Sequence, residues 1–120
     1  MNPDLPKRAI TERVVLHFTG ERAGDFETLR AEHLARGLPE IGYHYVIEAE
    51  GTLLMGRHPS RVGAHHPDFD DNSIGVCVIG DRRALSEAQE LAVMLLLDKL
   101  RADYPQIEKV NYLYRVPNTP

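Results

Sequence analysis

The chain has little that would tie it to a membrane, a nucleic acid or an oxidising compartment. Its single cysteine, Cys77, excludes an intrachain disulfide and fits a reducing environment. No apolar run approaches the roughly 18 residues of a membrane-crossing helix, and the richest, Leu91 to Leu97, is far too short. Met1 to Thr11 carries Pro3, Asp4 and Pro6 instead of an apolar stretch. It is therefore no Sec-type signal peptide, and the expectation is a chain that is cytoplasmic as synthesised. Positive charge is not in excess. A net charge of −4 gives no global attraction to nucleic acid or membrane, and neither is expected as a partner. Low-complexity tracts, repeats and linkers are absent.

What is present fits one globular domain, residues 1–120, with 42% hydrophobic and 27% charged residues. Arg13 to Phe18 is a short β-branched apolar run that reads as a buried strand. Asp25 is placed to N-cap a helix through Phe26, Leu29, His33 and Leu34, with Gly37 to close it and Pro39 to bar continuation. Gly42 to Glu48 and Thr52 to Met55 read as two strands of a hairpin around Ala49-Glu50-Gly51. Gly56 to Asn72 is irregular and long enough to be functional. Ser73 to Ile79 is the most apolar strand and is expected at the centre of a sheet. Ser86 and Gln89 form a capping-box pattern that opens a helix to about Tyr104, with Leu91, Met94, Leu95 and Leu97 as its expected apolar face. Ile107 to Tyr112 is the last candidate strand. The order β-α-β-β-β-α-β predicts an α/β (α+β) domain, a mixed central sheet flanked by helices.

Among candidate functional residues, His17 stands out because it lies late in a buried strand among apolar neighbours. Two readings are open for it: a core imidazole bonded to backbone, or a metal ligand or base presented at a strand end. Three of the six histidines, His58, His65 and His66, fall in the long loop. No local spacing matches a metal motif such as H-E-x-x-H.

Six fragments in order resemble the N-acetylmuramoyl-L-alanine amidase family, which includes amidase-type phage lysozymes and peptidoglycan recognition proteins. Val14-Val15-Leu16-His17 resembles its first-strand V-V-x-H, and Arg30-Ala31-Glu32-His33 with Gly37 resembles R-x-W-H-x-x-x-G, with Glu32 at the Trp. Ile41 to Ile47 resembles I-G-Y-H-[FY]-x-I, and Gly51-Thr52 with Gly56-Arg57 resembles the D-G-x…G-R hairpin. Val62 to His65 resembles V-G-[AS]-H, and Asn72 to Cys77 resembles N-x-x-I-G-V-x. The resemblance implies a peptidoglycan-recognition-protein-like fold and a zinc hydrolase that cuts the amide between N-acetylmuramic acid and L-alanine. It also implies that His17 is the first zinc ligand, that Tyr43 positions water or the oxyanion, and that His65 lies near the catalytic cleft. Tyr43 also has an ordinary reading, as an aromatic core residue of a strand.

The chain departs from the family near its C-terminal end, where the pattern is roughly H-x-[DE]-x-A-P-x-K-x-[CD]-P. Aligned on Pro120, Asn111 stands at the histidine, Thr119 at the cysteine or aspartate, and Pro117 at the lysine. No histidine, cysteine, aspartate or glutamate follows Glu108, and only a shifted register would bring Glu108 itself near. A neutral amide and a hydroxyl are poor zinc ligands, and Arg115 would add positive charge. Cys77, as a core-strand thiol, is expected to be inert packing rather than a rescue ligand. The expectation is a pseudo-enzyme without a resident cofactor that binds a muropeptide, another peptidoglycan fragment, or a protein partner. The alternative is an active amidase with zinc in an atypical site using His17 and His65. A structural part of a phage particle or operon is a third possibility.

Overall fold

The computed structural model describes residues 5–20 and 24–114. Five strands and two helices follow in the predicted order: β1 (Arg13–Phe18), α1 (Phe26–Ala35), β2 (Tyr45–Ile47), β3 (Leu53–Met55), β4 (Ser73–Val78), α2 (Glu87–Asp103) and β5 (Lys109–Tyr114). They form one sheet in the order β3-β2-β4-β1-β5. Strands β2, β4, β1 and β5 are mutually parallel where they pair, and β3 runs antiparallel to β2. The sheet is therefore mixed. Strand β4 is its middle strand and is buried along its whole length, as its continuous apolar sequence requires.

Alternation of side chains sorts the strands into two faces. Val14, Leu16 and Phe18 of β1 join Ile74, Val76 and Val78 of β4 against Leu96 and Leu100 of α2. The opposite face carries Val46 and Cys77, packed with Ile79, Ile41 and Leu29 of α1. His17 belongs to this second face. Helix α1 starts where Asp25 accepts the Thr28 amide, and Gly37, at φ 92°, follows its last turn. Helix α2 starts in the reciprocal capping box of Ser86 and Gln89. The buried Gln89 amide also donates to the carbonyls of Glu48 and Ile79, tying the helix start to the ends of β2 and β4. No helix of the described residues is long and apolar enough to cross a membrane.

Three expectations are corrected. The strand expected from Gly42 is regular only from Tyr45 to Ile47, because the backbone of residues 42–44 bonds partly to the long loop: Ala64 donates to Gly42 and Arg57 to Tyr43. The last strand runs two residues later than expected, after a turn in which the Ile107 amide donates to Tyr104. The buried stripe of α2 is also different. Leu91, Met94 and Leu95 are 51%, 55% and 58% exposed, whereas Leu96 is 2% exposed and Leu100 fully buried. Residues 91–97 are all apolar, so helical periodicity had no polar side from which to orient the stripe.

The loop between β3 and β4 is held by side chains. The buried Arg57 guanidinium donates to the carbonyls of Ile41, Val62 and Glu40. Asp70 accepts the amides of His65 and His66. His44, fully buried, accepts the Gly75 amide at Nδ1 (2.9 Å), so its Nε2–H donates to the Arg61 carbonyl (2.7 Å). It joins β4 to the loop as a neutral ring. Burial pushes its pKa down to about 4, against a weaker upward pull from the Arg61 carbonyl.

Two outcomes test this packing. Leu96→Ala is expected to cost about 2–5 kcal/mol in urea denaturation and Leu95→Ala less than about 0.5 kcal/mol; equal losses would place the buried stripe elsewhere. The second concerns acid. An unfolded histidine titrates near 6.5 and folded His44 near 4, so between those values the unfolded state holds more protons. Stability present above pH 6.5 is lost as pH falls, by about 2 kcal/mol from His44 alone between pH 7.5 and 5. Unfolding free energies that match at both pH values would contradict a buried neutral His44.

Candidate functional site

Strand β1 delivers His17 one residue before its end, on the face shared with α1. The parallel register sets it in a row with Cys77 of β4 on one side and Leu113 of β5 on the other. The loop then brings His65 against it, with His17 Nε2 and His65 Nδ1 hydrogen-bonded at 2.9 Å. The two rings meet edge-to-face, with centroids 5.0 Å apart. Tyr43 completes the group, its ring 5.2 Å from His17 on one side and 5.2 Å from His33 on the other. The structure thus brings together the three residues expected at the site: His17, Tyr43 and His65.

His65 sits where the sheet leaves it room. A Cβ on Gly75 would lie 2.4 Å from Cγ and Cδ2 of its ring, and a Cβ on Gly63 would lie 2.8 Å from the same Cδ2. Its Nε2 is 3.0 Å from Ser73 Oγ and 3.7 Å from Asp70 Oδ1. The side chain is fully enclosed. Burial pushes its pKa down to about 2, helped by the charges that His17, His44 and His66 would carry. Burial and then His66 push His17 down to about 4. At neutral pH the pair is uncharged, able to donate and accept hydrogen bonds without attracting anions by charge.

The other expected positions lie elsewhere. Asn111 pairs with Val15, not His17, and its side-chain oxygen accepts from Arg13 at 3.3 Å. Leu113 is the β5 residue opposite His17. Glu108 donates its amide to the Glu12 carbonyl, at the other end of β1 from His17. Cys77 is fully buried among Val46, Ile79 and Leu29. Thr119, Pro117 and Arg115 fall outside the described residues. His58 bonds Ser60, and His66 packs at a tilt against Phe69. Among the described residues no three His, Cys, Asp or Glu side chains are grouped to hold a metal ion.

Sequence reading missed Ser73, Gly75 and Leu113 as neighbours of the site. A glycine inside an otherwise apolar strand was the one available signal, since it marks close approach of another group. Gly75→Ala is expected to push the His65 ring out of contact with His17 and to destabilise the fold by about 1–3 kcal/mol. A crystal structure of the variant with the 2.9 Å contact unchanged would refute that role.

Comparison with known proteins places the chain in a family. The family model described as N-acetylmuramoyl-L-alanine amidase matches residues 6–115. The endolysin of Enterobacteria phage K11 is 31% identical over 110 residues, 83% of this chain and 73% of that protein. Against the endolysins of phages T3 and T7 the match spans about half of those proteins, 50% and 51%. N-acetylmuramoyl-L-alanine amidase LysC from Clostridium intestinale URNW superposes with a TM-score of 0.77 at 25% identity, over 85% of this chain and 69% of that one. The ectodomain complex of peptidoglycan recognition proteins LCa and LCx bound to tracheal cytotoxin gives 0.73 at 27% identity, over 92% of this chain and 73% of that one. By its sequence motifs, its sheet topology and a family match over nearly its whole length, the chain belongs to the N-acetylmuramoyl-L-alanine amidase family.

Proposed function

We propose that this domain binds a peptidoglycan fragment, of the muropeptide class, beside His17, Tyr43 and His65, and that it has lost the zinc-dependent hydrolysis of its family. The observation that carries the reading is the direct bond between the His17 and His65 imidazoles, with Leu113 as the strand neighbour. A catalytic zinc site uses three ligands drawn from imidazole, thiolate and carboxylate. Two imidazoles on one ion must both aim lone pairs at it, whereas this pair shares a hydrogen along its 2.9 Å contact. Leu113 offers no donor, and residues 109–120 contain no histidine, cysteine, aspartate or glutamate. Among the described residues the donor set beside His17 does not fit a three-ligand zinc centre.

The chemistry of the His17, Tyr43 and His65 group supports binding. A muropeptide presents amides and sugar hydroxyls, which suit neutral imidazoles and a phenol better than a charged clamp would. A structural relative holds tracheal cytotoxin, and that precedent favours the same ligand class here.

The test combines metal analysis, hydrolysis and binding. The purified chain is expected to hold much less than one zinc per molecule and to release no peptide from peptidoglycan. It is expected to bind a muramyl tripeptide in calorimetry, with Tyr43→Ala weakening binding about tenfold, or roughly 1.4 kcal/mol. A full equivalent of zinc that disappears in His17→Ala, together with peptide release, would instead establish an active amidase with an atypical metal shell. Absence of muropeptide binding alongside absence of zinc would redirect the search to a protein partner.

A further inference from the structure

The hydrogen bonds around His65 fix where its protons are. Ser73 Oγ lies 2.6 Å from the Phe69 carbonyl, a distance that two oxygens reach only with a hydrogen between them. A carbonyl cannot supply that hydrogen, so the serine hydroxyl donates to Phe69. Its one proton is then committed. At 3.0 Å from the same oxygen, His65 Nε2 must be the donor and carry a hydrogen. The Asp70 carboxylate, 3.7 Å from that nitrogen, favours the same assignment. Ser73 is fully buried, so water does not compete for its hydroxyl.

The consequence passes to the next ring. A neutral His65 with its hydrogen on Nε2 has a bare lone pair on Nδ1, and this faces His17 Nε2 at 2.9 Å. His17 must therefore donate from Nε2, and its own Nδ1 has no hydrogen. Nδ1 of His17 also has no hydrogen-bond partner among the described residues. We propose that Ser73 and His65 are positioning residues that lock His17 in its Nε2–H form and leave its Nδ1 as a hydrogen-bond acceptor for ligand. An organic ligand group meeting this nitrogen has to bring a hydrogen, as an amide N–H or a sugar hydroxyl does, and a carboxylate is turned away. Only the identity of that ligand group rests on the muropeptide reading.

Nitrogen NMR of ligand-free, 15N-labelled protein at pH 7 reads the tautomers directly, whether or not a muropeptide binds. In the wild-type protein, both His17 and His65 are expected to show a protonated, pyrrole-type Nε2 and an unprotonated, pyridine-type Nδ1. In Ser73→Ala the acceptor for His65 is gone, and the His65 and His17 resonances are expected to shift toward the Nδ1–H form or an average of the two. A purely structural serine would leave the ring protons where they were. The proposal is overturned by a protonated Nδ1 on His17 in the wild type, or by unchanged tautomers in a folded Ser73→Ala protein. If the variant does not fold, the wild-type spectrum alone decides. Failure of muropeptide binding would overturn the proposed function and leave the tautomer result standing.

Discussion

The parallel register of β4, β1 and β5 is the constraint on which the site depends. It sets Cys77, His17 and Leu113 in one row and decides that their side chains share a face. A one-residue slip would turn His17 into the α2 core and send Leu16 to the face shared with α1. Register in this sheet is fixed by burial on both sides: β4 is covered along its length, and β1 is nearly so. The same burial makes the imidazoles of the site neutral. Core packing and site chemistry therefore have one physical origin, the removal of water from both faces of the central strands.

Much of this was legible along the chain. The β-branched run of β1, the Asp25 cap and the Ser86–Gln89 box depend on neighbours within a few residues, and β1, α1 and α2 begin where those signals put them. His17 could be singled out because a histidine in a buried strand is unusual, and Tyr43 and His65 through their motif fragments. What could not be read was set by contacts distant in sequence. Ser73 stands beside His65 only because the loop folds back over β4, and Leu113 stands beside His17 only through strand pairing. The face of α2 was illegible for a different reason, since seven consecutive apolar residues contain no orientation.

Two other histidines illustrate how the same residue type serves two ends. His33 accepts the Gly42 amide, and His44 bridges the Gly75 amide and the Arg61 carbonyl. Both hold backbone that strand ladders do not reach. His17 and His65 instead bond to one another and retain a ring nitrogen outside the backbone network. Histidine count alone would not have separated these pairs; their partners do.

The loop wall fastened by Arg57, Asp70 and His44 has a consequence for recognition. Its backbone is anchored by buried side-chain bonds, with the three carbonyls on Arg57 alone spread over residues 40–62. A loop anchored in this way is ordered in advance, so a ligand that met it, as the proposed function requires, would cost little conformational entropy. Under that proposal, discrimination would come from fit to a preset shape, and a ligand with the wrong contour would meet a surface that does not remould itself around it.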